Sequence, residues 1–187
     1  MARGSYKMPN LIVPKCRVEV TAPIIFLAGP DTAARGWHER AIDIVSSIDD
    51  SVVIACTSRR IKSGYESLKS EVMFESHVLW ERFYLEAASK QGAILFWLPN
   101  PVEEMPIDSK TGFHKPYARD TCGEIGEWRG RMIENPSVGR YIAVGYESNY
   151  PGIDVILKNF RAVKPSMQFY TSLEETCKEA VRIAKAR

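Results

Sequence analysis

Cysteine is scarce in this sequence: four in 187 residues (Cys16, Cys56, Cys122, Cys177), none in a CxxC and none beside a histidine at zinc spacing. That excludes a disulfide-stapled miniprotein and a zinc finger, and the thiols read as buried or incidental in a reducing cytoplasm. Histidine is scarcer still. His38, His77 and His114 lie far apart and read as surface or helix residues rather than catalytic ones. Apolar runs such as Val52–Cys56 and Ile94–Leu98 stop after five residues, far short of the roughly 20 that cross a bilayer. Neither sign of charge dominates: 25 Lys+Arg against 23 Asp+Glu give +2, which does not suit a dense basic face for nucleic acid. Residues 1–7 lack the apolar core of a secretory signal, so a cytoplasmic chain without membrane or nucleic-acid partners is expected. GxGxxG and GxxxxGK[ST] are both missing, which removes the dinucleotide fingerprint and the P-loop. Neither cofactor nor metal is expected.

What is present is an ordinary globular balance, 45% hydrophobic and 26% charged, in a length that suits one domain. Residues 1–22, broken by Pro9 and Pro14, read as an irregular lead-in to a domain over 23–187. Apolar runs at Ile24–Ala28, Val52–Cys56, Ala93–Leu98 and Tyr141–Val144, with Gln168–Tyr170 as a fifth, read as buried strands. Between them lie helical stripes. One starts at Trp37 and another covers Glu71–Ser89; a third covers Thr121–Glu134, and a short one follows Tyr150-Pro151-Gly152. Ser172-x-x-Glu175 is a capping box for a last helix. Strands that are apolar on both faces, alternating with helices, predict a doubly wound parallel five-stranded α/β sheet with helices on both faces. Ligands of such sheets sit beyond the carboxyl ends of the strands.

The loops at those ends hold the candidate chemistry. After the first strand come Gly29, Pro30 and Asp31. Gly29 allows a ligand to approach the backbone and Asp31 can hold a hydroxyl, or else Asp31 or Thr32 caps the next helix. In Thr121-Cys122-Gly123-Glu124, Thr121 and Glu124 have capping-box spacing. A first-turn Glu124 ionised by the helix dipole beside glycines also suits a carboxylate nucleophile, and spacing leaves both readings open. Gly123, Gly126 and Gly130 inside one helix each cost roughly 1 kcal/mol relative to alanine, which makes sense if something must come close. Trp97, Phe113, Tyr117 and Trp128 can form a stacking wall for a planar base or ordinary core. Trp128, on an apolar stripe, reads as core, whereas Trp97 and Tyr117 stand at the loop edge. Cys122 lacks a nearby histidine to activate it. The basic stretch Arg59–Lys69 reads as a solvated face that could also meet a phosphate.

Several of these segments together resemble the nucleoside 2-deoxyribosyltransferase family. They are Ile25-Phe26-Leu27-Ala28-Gly29-Pro30; Trp80-Glu81 feeding Ala93-Ile94-Leu95-Phe96-Trp97-Leu98-Pro99; Thr121-x-x-Glu124-Ile125-Gly126; and Tyr141-Ile142-Ala143-Val144-Gly145 followed by Tyr150-Pro151-Gly152. The likeness spans residues 24 to about 156 and is nearest to the branch with an Ile-Leu-Phe-Trp third strand. It implies a flavodoxin-like homo-oligomer with sites near subunit interfaces, exchanging the base of a 2′-deoxyribonucleoside for a free nucleobase without a cofactor. Glu124 matches the nucleophile. Phe26 stands where the family often has a tyrosine, and Ala118 where it commonly has an aspartate, leaving Asp120 as the candidate proton donor with Glu127 and Glu81 behind it. Asp154 falls near the residue lent to a neighbouring subunit's site. The expected substrate-binding set is Phe26, Gly29, Pro30, Asp31, Trp97, Tyr117, Gly123 and Asp154. A hydrolase of deoxynucleosides or their 5′-monophosphates, with Arg59, Arg60 or Arg119 on the phosphate, is the nearest alternative. A non-catalytic nucleotide-binding module is the third.

Overall fold

Alternation along the strands decides which side chains meet which helices. The computed structural model describes residues 10–34, 36–58 and 71–187. Five parallel strands form one sheet: β1 (Asn10–Ile12), β2 (Ile24–Ala28), β3 (Val53–Cys56), β4 (Gly92–Leu98) and β5 (Ile142–Tyr146), in the order β1-β3-β2-β4-β5. Every residue of β2 and β4 is buried, as strands covered on both faces must be. Ile24, Phe26 and Ala28 share one face with Ile94, Phe96 and Leu98, under α2 (His77–Gln91), α3 (Arg119–Glu134) and α4 (Ile153–Val163). Ile25, Leu27, Ala93, Leu95 and Trp97 line the other face, under α1 (Trp37–Ile48) and α5 (Leu173–Lys185). With β1 set aside as an added edge, the order β3-β2-β4-β5 is the flavodoxin-like pattern. Its switch point lies between β2 and β4. Among the described residues no helix is long and apolar enough to cross a membrane.

Several boundaries differ from expectation, two of them in the sheet. Residues 10–12 are a strand, not part of an irregular lead-in: Asn10, Leu11 and Ile12 pair with Val53, Ile54 and Ala55. Pro9 and Pro14 flank the strand without falling inside it, which an edge position tolerates. The chain that follows is strapped to α2, where Tyr84 Oη accepts from the Val18 amide at 2.7 Å and Gln91 Nε2 donates to the Val20 carbonyl at 2.9 Å. Conversely, Gln168–Tyr170 adds one bridge rather than a strand. Only Tyr170 reaches β5, exchanging backbone bonds with Tyr146 and Val144, before Ser172 caps α5. Leu11 is 1% exposed, so Leu11→Ala is expected to cost about 2–4 kcal/mol in denaturant unfolding, against nearly nothing for an unpacked lead-in.

The α2 helix starts at His77, six residues after the expected Glu71, because Ser76 caps it by accepting from the Leu79 amide at 3.2 Å. Neither Asp31 nor Thr32 caps α1. Gly36, with φ +86°, holds that position. Asp31 instead accepts from the Ser58 hydroxyl at 2.9 Å, tying the end of β2 to the end of β3.

Candidate functional site

The α3 helix begins three residues earlier than its capping-box spacing implies. Its N-cap is Ala118 in the left-handed region (φ 54°), and no side chain caps it. Thr121 is buried and turned inward with Ile125, Trp128 and Met132. Glu124 therefore lies in the second turn, and the capping role falls away. The long loop from β4 reaches this start along ties to the sheet end. Tyr117 Oη donates to the Pro99 carbonyl at 2.7 Å, and the Asn100 amide donates to Glu147 Oε2 at 2.7 Å.

Asp120, Glu124, Glu127 and Arg131 follow helical spacing down one flank of α3. That flank faces α2. Arg82 clasps both Glu127 oxygens, at 2.8 and 2.7 Å, and one turn later Arg131 binds Glu86. The two contacts share a separation of 45 residues, so the helices run parallel. Both N-termini thus sit at the carboxyl end of the sheet, beside the switch point.

Glu124 occupies the top of this seam, half-buried. Burial pushes its carboxyl up to about 8, helped by the charges of Glu81, Asp120 and Glu127 and opposed by Arg82. This overturns the expectation of a dipole-ionised group, because desolvation and three acids outweigh a dipole that fades beyond the first turn. Among the described residues, no hydrogen bond or ion pair engages the carboxyl of Glu124. Its neighbours are committed. Glu127 also takes Arg131 at 2.9 Å, Asp120 pairs with Arg119 at 3.2 Å, and Glu81 pairs with His77 at 2.9 Å. The His77 ring stacks on Trp80 (5.8 Å, 8°), whose indole lies 5.9 Å from the Phe26 ring on the sheet.

The expected site residues separate into groups. Phe26 belongs to the core beneath α2, wholly buried. Asp120 joins Glu124 electrostatically, but its side chain is 91% exposed. Tyr117 is half-buried, its ring 5.8 Å from Tyr150, whose hydroxyl lies 3.7 Å from Cys122 Sγ. Trp97 corrects the stacking wall. It is 3% exposed on the α1/α5 face, across the sheet from Trp128, and so cannot offer a base platform beside α3. Two glycines make room for it: a Cβ at Gly145 would strike the Trp97 ring and Thr176, and one at Gly29 the Trp97 carbonyl and the Trp37 ring. Gly29 thus serves packing, with Pro30 accepting from the Trp37 indole at 2.8 Å. Phe113 is exposed on the loop. Gly123, Gly126 and Gly130 are open: among the described residues, a Cβ on any of them would meet nothing within 4 Å beyond its own helix. Asp154 is exposed and pairs with Lys158 at 3.7 Å.

The histidines lie on helices or on the surface, as read from the sequence: His38 in α1, His77 at the start of α2 and His114 exposed on the loop. His38 is buried, stacked on Trp37 at 3.7 Å, and burial pushes its pKa down to about 3. His77 is partnered beside Glu124's neighbour Glu81, and its i,i+4 spacing to Glu81 was the signal available in sequence. Arg59 and Arg60, with the rest of the basic stretch, lie outside the described residues. Among the described residues no three His, Cys, Asp or Glu side chains gather as metal ligands would. No protein-family model matches the chain, and no curated protein matches it either.

Proposed function

We propose that the chain transfers 2-deoxyribose between nucleobases by double displacement through Glu124. One observation carries the reading: Glu124 stands at the sheet's carboxyl end, half-buried and among acids, with no capping duty and, among the described residues, no hydrogen bond or ion pair. Structural carboxylates are ordinarily partnered, and a buried one held back from ionising by its surroundings is characteristic of functional sites.

In the reaction, an ionised Glu124 oxygen attacks C1′ of the deoxynucleoside. The C1′–N bond breaks, its electron pair passes to the base nitrogen, and the base takes up a proton. The second base then attacks C1′ from the face the first one left. The ester's electron pair returns to Glu124, and the incoming base loses a proton. Two inversions retain configuration. We assign the proton to the His77–Glu81 pair rather than to Asp120, because Asp120 projects into water while Glu81 is screened and is the strongest charge acting on Glu124. Assembly as a homo-oligomer is part of the proposal. Val78, Leu79 and Phe83 leave apolar surface exposed on α2, and the glycines of α3 leave its outer face open to another subunit, whose Asp154 would reach the site.

The test incubates the protein with one deoxynucleoside and a different free base. New deoxynucleoside is expected, with a deoxyribosyl adduct on Glu124 in acid-quenched mass spectra. Free deoxyribose alone makes the chain a hydrolase, and no turnover with any base pair makes it a binding module.

A further inference from the structure

At the opposite end of the sheet from Glu124 lies a groove of about 490 Å³, bounded by the 3-10 turn Pro136–Tyr141, the turn after α4 and the last turns of α5. Four cations converge on it, Arg140, Lys164, Arg182 and Arg187, and Glu179 is the acid in its lining. Arg182 and Glu179 neutralise each other through two hydrogen bonds of 2.7 Å. Among the described residues, Arg140, Lys164 and Arg187 meet no carboxylate within salt-bridge distance.

Their neighbours are of other kinds. Lys164 Nζ donates to the Gly139 carbonyl at 3.1 Å, and Arg187 lies over the Tyr141 ring at 3.3 Å and donates to the Ser89 carbonyl. Helix dipoles do not account for the excess. The C-termini of α4 and α5 together amount to about one negative charge, less than Arg140, Lys164 and Arg187 carry between them. Arg140, moreover, sits on a 3-10 turn rather than at an α-helix end. Like charges brought together cost free energy unless an anion enters, and at Lys164 burial first and then the Arg140 charge hold the ammonium below the usual lysine range, against the opposing charge of Glu179.

We propose that this groove is a second binding site, separate from Glu124, for a nucleotide-sized small molecule bearing a phosphate. The phosphate would lie between Arg140 and Lys164, where guanidinium and ammonium supply charge-assisted donors. The body would rest against Met167, Ile183 and the Tyr170 ring, which give the groove an apolar wall. Its volume falls in the range of ordinary small-molecule sites and far exceeds a bare phosphate.

The test is calorimetric titration of the full chain with AMP, and with adenosine to isolate the phosphate. AMP is expected to bind one per chain and adenosine far more weakly. Arg140→Ala and Lys164→Gln should each weaken AMP by about tenfold or more, the loss of one charge-assisted contact, while Glu124→Gln leaves affinity unchanged. Arg140 is exposed, so its variant keeps the fold, and melting curves verify this for both. The proposal is overturned if AMP gives no heat and no melting shift, if adenosine binds equally well, or if AMP affinity ignores both groove substitutions. An affinity lost in Glu124→Gln alone would place AMP at the other end of the sheet and equally overturn it.

Discussion

Glu124→Gln is expected to lower base exchange by at least about a thousandfold while the protein stays folded. A nucleophile's loss removes the covalent route entirely, and losses of that order or larger are usual when a catalytic nucleophile is taken away. Glutamine keeps nearly the same shape and carries no charge. It therefore mimics the protonated carboxyl that burial and the neighbouring acids favour below pH 8. Far-UV dichroism at pH 7 should consequently match the parent protein, and the melting temperature should rise. A purely structural Glu124 predicts the reverse pattern, with activity intact and stability reduced, and α3 offers no such role because its first turn starts at Arg119 without a side-chain cap. Glu124→Asp separates reach from charge: the carboxylate remains but withdraws by one methylene, so activity falls steeply and adduct formation slows without vanishing. Rapid-quench measurement of the adduct distinguishes that slowing from a loss of substrate affinity.

The sheet's centre was legible because continuous apolar runs leave few alternatives: Ile24–Ala28 and Ala93–Leu98 are strands within one residue of expectation. Its edges were not. Three residues at Asn10–Ile12 carry too little periodicity to be told from loop, and their pairing with β3 is a long-range fact. Trp97 was misplaced although the needed information was present. Alternation puts it on the face of Leu95 and opposite Phe96, which already separates it from Trp128. The start of α3 was illegible for a different reason. Ala118 adopts a left-handed conformation that its residue type does not advertise, while Thr121 carries a capping signal that its burial cancels. Glu124 stands out in the sequence through the glycines around it and the motif it shares with the resembled family, at a spacing that a capping box also has. The acids that set its ionisation lie on two helices, and only the parallel packing of α2 on α3 brings Glu81 to it.

Exchange activity should climb with pH, about tenfold for each pH unit below 8, and level off above it. The attacking form of Glu124 is the anion, and burial holds its pKa at about 8. Folding stability should move the other way. The group binds its proton more tightly in the folded chain than its ordinary value of 4.5 allows, so its contribution is complete below 4.5 and is lost as pH rises toward 8. The span between the two values sets a ceiling of about 4–5 kcal/mol on that loss, and water reaching a half-buried carboxyl lowers it further. Glu124→Gln removes this slope, so the variant should overtake the parent protein in stability as pH rises past about 4.5 and converge with it in acid. The neighbours fix the sign independently. Glu81→Gln takes away a negative charge that holds the proton on, and should shift the activity limb to lower pH; Arg82→Met removes the opposing cation and should shift it higher. Both shifts are read from the midpoint of the pH–rate profile rather than from its height, so a simple loss of activity in either variant cannot imitate them. A limb centred near 4.5 in the parent protein would mean that substrate meets a solvated, ordinary carboxylate, and the seam between α2 and α3 would then have no part in setting the chemistry.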